Sequence, residues 1–551
     1  MTDQPMHGGQ QAVDAAVAHG VTTMFTLSGA HVFPLYDAAV GGKAAIDSGT
    51  AGPMRLVDVR HEQTAVFAAE AMGKLTRTPG FAVVTAGPGV TNAVSAITGA
   101  WVNGSPMVVL GGRAPDARWG SGALQELDHP PLLESVTKSA TTVHDAGEVR
   151  AAVDDAFTIA GSAHRGPVFL DVPMDVLFTP ATPARPVLTS LDRSPDDADI
   201  DSVATAIRSA SRPVVVLGSD VWADGAELAA RAFVDALGIP VIANGMARGI
   251  LPPDHPLLVT RARGMAFAKA DLVIVAGTPL DFRLGYGVFG SPDAPAQVVH
   301  LADSKGQVAT HTALAASAHG DLARVFTMIA QSIGDELPIA DWAGELRAAA
   351  LAAIAADAPL LASDANPIHP ARIYGELLPR LTDDTVVIGD GGDFVSFAGR
   401  FIEPRLPGRW LDPGPYGCLG TGPGYAMAAR IAHPDSPVVL LMGDGAAGFS
   451  LMDVDSLVRQ ELPVAIVVAN NSGWGLERHP MRFLYGYDVV ADLAPTPYDE
   501  VVRGLGGAGE SVTKPGDIGA ALDRALSAGV PYLVNVHTDP EIAYPRSTTG
   551  V

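Results

Sequence analysis

A single cysteine, Cys418, stands among 551 residues, which excludes an internal disulfide and fits a reducing cytoplasm. Positive charge is scarce: 36 Lys and Arg against 60 Asp and Glu give a formal net charge of −24. Such a chain lacks the basic surface that nucleic acid or an anionic membrane requires. No segment offers about 18 uncharged apolar residues in a row, because Gly, Pro and Asp interrupt every candidate. The opening MTDQPMHGGQQ also lacks the apolar stretch of a secretory signal. These absences lead to the expectation of a cytoplasmic protein with neither nucleic acid nor membrane as partner.

Hydrophobic residues make up 48% of the chain and charged ones 17%, the balance of a large buried core rather than a disordered polymer. At roughly 150 residues per domain the length suggests three or four domains. Short apolar runs alternate with helical patterns throughout. FAVVT (81–85), MVVLG (107–111) and VFLDV (168–172) read as buried strands in the first third; PVVVLG (213–218), DLVIVAG (271–277) and QVVHLA (297–302) do so in the middle. TVVIGD (385–390), PVVLLMGD (437–444), PVAIVVAN (463–470) and PYLVNV (531–536) complete the last third. Val- and Ile-rich runs separated by amphipathic stretches indicate parallel sheets covered on both faces. TPATPARPVLTSLDRSPDDAD (179–199) reads as a linker, and an Ala-rich helical stretch followed by DAPLLASDANPIHP (357–370) marks a second boundary. The expected fold is therefore α/β, with three consecutive α/β domains built on parallel sheets at residues 1–178, 190–340 and 365–551.

Gly-Asp-Gly occurs twice, at 389–391 and 443–445, and either copy alone could be a turn after a strand. Spacing separates them. Of seven Asn, only Asn470 and Asn471 are adjacent, and Asn471 follows Asp444 by 27 positions, at the end of the next strand. Asp390 has Gly417 at that offset. Asp444 and Asn471 thus fall at carboxyl ends of strands in one sheet, where ligands bind in such folds. Mg²⁺ takes oxygen ligands, commonly one or two protein groups plus diphosphate oxygens. Asp444 supplies charge, Asn471 an amide oxygen, and the turn at Gly473 a backbone carbonyl. Gly443, Gly445, Ala446 and Ala447 are small enough for backbone N–H groups to approach a diphosphate at a helix start.

The pattern GDG-x24-NN resembles the cofactor motif of thiamine diphosphate-dependent enzymes such as acetolactate synthase, pyruvate decarboxylase, benzaldehyde lyase and 2-hydroxyacyl-CoA lyase. The resemblance covers nearly the whole chain. It implies a pyrimidine-binding domain first, a Rossmann-like middle domain, and a diphosphate-binding domain last, with an active site shared between subunits of a homodimer or homotetramer. Asp390, Gly391 and Trp474 join the cofactor-binding candidates.

RHEQTAVFAAEAM (60–72) resembles the segment carrying the family's activating glutamate, which implies that Glu62 hydrogen-bonds the pyrimidine ring; the plain structural alternative is a helix-start acid stabilised by the dipole. LDPGPYGCLGTGPGYA (411–426) resembles the segment supporting the cofactor's bent shape, with Leu419 as the wedge or else an ordinary core leucine. Cys418 carries no signal for nucleophile activation and reads as structural. AGPGVTN (86–92) either contacts cofactor or substrate or forms a tight turn. Three polar residues are candidates to face the substrate: His31 in LSGAHVFPLYDA, Gln125 in GALQELDH and Glu477 in NNSGWGLERHP. By resemblance, Glu477 is the main acid–base group, with His31 and Gln125 positioning oxygens; a buried carboxylate or imidazole whose pKa moves toward neutrality suits that role. Their alternatives are a capped surface Glu, a satisfied core His and a helix-surface Gln.

The N-terminal third and the 411–426 segment most resemble acetolactate-synthase-like 2-hydroxyacyl-CoA lyases. The expected reaction is reversible cleavage of a 2-hydroxyacyl-CoA to formyl-CoA and an aldehyde or ketone; the alternative is an acetolactate-synthase-type carboligase acting on pyruvate. The substrate is accordingly an acyl-CoA or a 2-keto acid. Arg478 and Arg546 are candidates to contact CoA phosphates. In relatives the region RARGMAFAKADLVIVAGTPLDFR (261–283) can bind ADP or FAD, and such domains also persist without a ligand; the sequence leaves these open.

Overall fold

The computed structural model describes residues 5–184, 192–335 and 337–544. Three parallel sheets follow one another along the chain, each flanked by helices. The first has six strands in the spatial order Arg55–Asp58, Thr23–Thr26, Gly80–Val84, Met107–Arg113, Pro167–Pro173 and Ala140–Thr142. The middle sheet has five: Val241–Ala243, Pro213–Leu217, Leu272–Ala276, Gln297–Ala302 and Ala316–His319. The third repeats the six-strand pattern with Trp410–Leu411, Val386–Asp390, Val438–Gly443, Ala465–Asn470, Tyr532–His537 and Ala508–Val512. All ten apolar runs are strands, and their nearly continuous burial is what sheets covered on both faces require. No helix among the described residues is long and apolar enough to cross a membrane.

Two boundaries differ from the sequence reading. Residues 185–191 of the expected linker lie outside the described residues, but its last part is already ordered. Asp196 caps the helix Asp197–Ser209 by accepting from the Ala198 amide, the usual use of Asp before a helix. At the second boundary the helix Ala340–Leu361 carries through Pro359 and takes in the first five residues of the stretch read as a break. The Ala-rich sequence before it supplies enough helix propensity to hold that last turn.

The first and third domains are joined by a helix pair. Glu62–Thr76 lies along Gly422–Ala432, and the contact depends on Gly424: a Cβ there would stand 2.7 Å from the Thr64 carbonyl oxygen. Polar ties reinforce it. The Thr64 hydroxyl donates to Asp453 at 2.6 Å, the Arg60 amide donates to the same carboxylate at 2.6 Å, and the Tyr425 hydroxyl donates to Glu70 at 2.9 Å.

Candidate active site

Strand Val438–Gly443 runs straight into helix Asp444–Ser450, and its parallel neighbour Ala465–Asn470 ends in a turn before helix Gly475–Tyr485. The register pairs Gly443 with Ala469, so Asp444 and Asn471 emerge from adjacent strand tips on the same edge. The Gly473 amide donates to Asp444 Oδ2 at 3.1 Å and to Asn471 Oδ1 at 3.2 Å. Ser472, at φ +52, sets the sharp bend. The two asparagines divide the work. Asn470 is buried and donates to the Thr496 carbonyl and to Asn535, while its own oxygen accepts from the Ser472 amide. It fixes the turn, and Asn471 is left facing the cavity.

That cavity has a volume of about 260 Å³ and is lined by Asp444, Asn471, Gly473 and the small residues Gly391, Gly443, Gly445 and Ala446, with Leu419, Trp474 and Glu477 completing its walls. Asp444 is 2% exposed, and burial pushes its carboxyl up to about 6 against the opposing pull of the Gly473 and Gly445 amides. Among the described residues no basic side chain pairs with it and none lines the cavity. A buried carboxylate lacking a cation, beside an amide oxygen and a tight turn, is the all-oxygen donor set that suits Mg²⁺. Gly445 is required by crowding, since a Cβ would lie 2.4 Å from the Trp474 ring. Trp474 also meets Phe449 edge-on at 6.3 Å. Glu477 lies exposed at the cavity rim, in the first turn of helix Gly475–Tyr485.

Two sequence candidates, Asp390 and Arg478, stand differently. Asp390 does not line this cavity: it is fully buried and both oxygens accept backbone amides, from Gly420 at 3.0 Å and Gly422 at 2.8 Å. It holds the Leu419 loop to the sheet, while its neighbour Gly391 lines the cavity itself. Arg478 is already paired with carboxylates and is not free to hold a phosphate. It is 4% exposed, donates to Asp492 at 2.8 Å and stands 3.6 Å from Asp488. Arg546 lies outside the described residues. Cys418 has a thiol that burial pushes up to about 11, which keeps it protonated and agrees with a structural role.

The N-terminal domain carries a second polar group, also at carboxyl ends of strands. Glu62, 7% exposed at the start of its helix, accepts from Asn92 at 3.0 Å. His31, 4% exposed, bonds Thr85 Oγ1 through Nδ1 at 3.1 Å, and burial holds its pKa below the usual value. Gln125 adopts φ +60 and packs over Gly87, where a Cβ would be 3.0 Å from its own. Behind them the Gly87 amide donates to His129 Nε2 at 3.0 Å, His129 Nδ1 meets Asp171 at 2.7 Å, and Arg113 reaches Asp171 at 3.1 Å. None of these N-terminal residues lines the cavity of the third domain. Asn92, Thr85, His129 and Asp171 were not among the sequence candidates. Asn92 and His129 close the quoted segments AGPGVTN and GALQELDH, and Asp171 sits inside the apolar run VFLDV, where a charge needs a buried partner.

Comparison with known proteins gives three family-model matches: the thiamine pyrophosphate enzyme N-terminal binding domain over residues 6–132, the central domain over 200–329 and the C-terminal binding domain over 390–536. A protein named acetolactate synthase large subunit from Mycobacterium tuberculosis is 47% identical over 550 residues, covering 98% of each chain. The human protein named 2-hydroxyacyl-CoA lyase 2 is 34% identical, covering 91% of this chain and 84% of its own. The Caenorhabditis elegans protein of that name is 33% identical, over 95% of this chain and 87% of its own.

Proposed function

This chain belongs to the thiamine pyrophosphate enzyme family, and on that premise we propose that it is an acetolactate-synthase-type carboligase acting on pyruvate, with thiamine diphosphate and Mg²⁺ as cofactors. The observation that carries this reading is the 47% identity, over 98% of both chains, to a protein named acetolactate synthase. It reverses the order expected from the sequence, where acyl-CoA cleavage stood first. The lyase-named relatives, at 33–34% identity, keep that reaction as the second reading. Among the described residues the cavity wall carries no basic side chain for the phosphates of an acyl-CoA, and Arg478 is paired with Asp492 and Asp488.

Thiamine diphosphate, when bound, supplies the nucleophilic carbon and the electron sink for decarboxylation and carbon–carbon bond formation. Asp444, Asn471 and the turn at Gly473 would hold the metal; Gly443, Gly445 and Ala446 would let backbone amides approach the diphosphate, and Leu419 would buttress the rings. Glu62 would bond the pyrimidine through a carboxylate that Asn92 keeps in place. Glu477, at the cavity rim, would accept and return the proton of the reacting hydroxyl, with His31 and Gln125 orienting substrate oxygens.

Glu62, His31 and Gln125 do not line the Asp444 cavity of their own chain, which supports a complete site built from two copies. Apolar side chains left open beside both halves support this: Leu124 is 76% exposed next to Gln125, and Phe449 is 61% exposed on the helix that begins at Asp444. Purified protein supplied with thiamine diphosphate and Mg²⁺ is expected to convert pyruvate to acetolactate. Formyl-CoA release from a 2-hydroxyacyl-CoA without any acetolactate would overturn this assignment in favour of the lyase.

A further inference from the structure

The middle sheet offers its own strand ends, and they are acidic. Asp220 follows strand Pro213–Leu217 and Asp303 follows strand Gln297–Ala302, at the carboxyl edge where open α/β sheets bind ligands. Onto them the N-terminal domain lowers His164. Its Nδ1 lies 3.0 Å from Asp303 Oδ2 and 3.9 Å from Asp220 Oδ2, and one ligand atom from each of the three residues falls within 4.8 Å of the others. The set is enclosed. Asp303 is 1% exposed and Asp220 8%, and the His164 ring is pressed against Gly104, where a Cβ would lie 2.4 Å from Nε2.

The neighbouring cations make their hydrogen bonds elsewhere, although Arg165 keeps a long ion pair to Asp303. Arg193 pairs with both oxygens of Asp224 at 2.8 Å, and Arg165 directs Nη2 to Asp224 at 3.0 Å while its Nη1 stands 4.0 Å from Asp303. Lys138 gives its ammonium to the Ile159 and Ser162 carbonyls. Asp303 Oδ1 is buried with no hydrogen-bond partner, an arrangement that costs free energy unless something else binds there. The phosphates of a nucleotide would meet two buried carboxylates here.

We propose that His164, Asp220 and Asp303 form a binding site for a divalent transition cation of the Zn²⁺ type, which clamps the N-terminal domain to the middle domain. One imidazole nitrogen and two carboxylate oxygens are an N/O set that Zn²⁺ accepts, at bond lengths of about 2.0–2.2 Å. Ligand atoms around a tetrahedral ion at that distance stand roughly 3.4 Å apart; the two His164 pairs are at 3.0 and 3.9 Å, and all three atoms lie within 4.8 Å of one another. The single nitrogen favours Zn²⁺, Mn²⁺ or Co²⁺ over Mg²⁺. The site is independent of Asp444 and Asn471 and lies between the first two domains.

The test uses the full chain carrying Asp444→Ala, so that the thiamine site cannot contribute, stripped with chelator and then titrated with Zn²⁺ in excess Mg²⁺. The expected result is retention of about one Zn²⁺ per chain after desalting, a rise in melting temperature, and, with Co²⁺ as the probe, a visible absorption band of nitrogen and oxygen ligation. His164→Ala and Asp303→Asn should each abolish the retained metal and the band. His164→Gln, which keeps the volume but not the imidazole, guards against loss of fold, monitored by circular dichroism. No Zn²⁺ retained by the folded parent, or unchanged retention in folded His164→Gln and Asp303→Asn proteins, would overturn the proposal.

Discussion

Asp444 and Asn471, 27 residues apart in sequence, share a single hydrogen-bond donor: the Gly473 amide reaches Oδ2 of the first at 3.1 Å and Oδ1 of the second at 3.2 Å. The shared donor fixes the spacing of the two oxygens. It also makes the pair a unit, because moving either residue releases the turn that orients the other.

Removing the charge should therefore remove the cofactor. Asp444→Ala is expected to weaken Mg²⁺-dependent thiamine diphosphate binding by about 100-fold or more, since loss even of a group supporting a metal ligand commonly costs 10–100-fold. Asn471→Ala should follow in the same direction. Quenching of Trp474 fluorescence during titration reads the affinity directly, because this ring lines the cavity. Unchanged affinity in Asp444→Ala would remove the metal site.

The Gly445–Trp474 contact predicts a steric effect that relief should reverse. A methyl at position 445 would sit 2.4 Å from Trp474 Cζ3 and 2.7 Å from Cε3, so Gly445→Ala must displace the indole. Overpacking of this kind costs about 1–3 kcal/mol. Adding Trp474→Ala should restore much of the loss in melting temperature, a non-additivity expected of touching residues. Additive losses in the double variant would show that the clash is not the cause.

Much of this was legible in the sequence. The ten runs found as strands are apolar and mostly β-branched, and each is buried on both sides. The missed strands are mostly short edge or near-edge pieces with weaker patterns: RLVD at 55–58, ATT at 140–142, WL at 410–411 and AGESV at 508–512. Their pairing is imposed by the neighbouring strand rather than by their own composition. At the site, spacing found Asp444 and Asn471 because adjacent strand ends have a characteristic separation. It misplaced Asp390, since a second Gly-Asp-Gly after a strand looks identical until the Gly420 and Gly422 amides are seen to occupy its oxygens. The His129–Asp171 pair joins residues 42 positions apart on different elements, a separation that no local motif encodes.

Asp390 should leave a pH signature in stability. Burial raises its carboxyl to about 6 in the folded chain, above the ordinary value of about 3.9 expected when unfolded. Between those values the folded state binds more protons, so its contribution is present at low pH and is lost as pH rises from about 4 to about 6. A shift of roughly two units corresponds to about 3 kcal/mol. Asp390→Asn, which cannot ionise, should be destabilised overall but show a flatter dependence across that window. Parallel denaturation profiles for the two proteins from pH 4 to 7 would show that Asp390 does not titrate there.

The relay behind Gln125 predicts a coupled loss. Asp171 fixes the proton of His129 on Nδ1, which leaves Nε2 free to accept the Gly87 amide. Asp171→Asn removes that preference and leaves the Arg113 guanidinium, 5% exposed, with only the more exposed Asp128 at 3.0 Å. Breaking a buried charge pair costs about 3–5 kcal/mol, so a marked fall in melting temperature is expected. Turnover should drop as well, because Gly87 carries the Gln125 contact. A variant with wild-type melting temperature and rate would remove the relay.

Finally, a site shared between two copies predicts complementation between two inactive proteins. Glu62→Gln should slow turnover about 10²–10⁴-fold while sparing cofactor affinity, the range for loss of a proton-handling group. Asp444→Ala should be inactive through loss of the cofactor. If the site is shared across a two-fold axis, a mixed dimer holds one site with both residues intact and one with neither. Random re-association gives mixed dimers in about half the population, and so about a quarter of wild-type activity is recovered. Mixing after mild dissociation, with the steady-state rate and sedimentation as readouts, measures this directly. A dimer that forms and recovers no activity would place Glu62 and Asp444 of the same chain in one site, and a chain that remains monomeric and active would do the same.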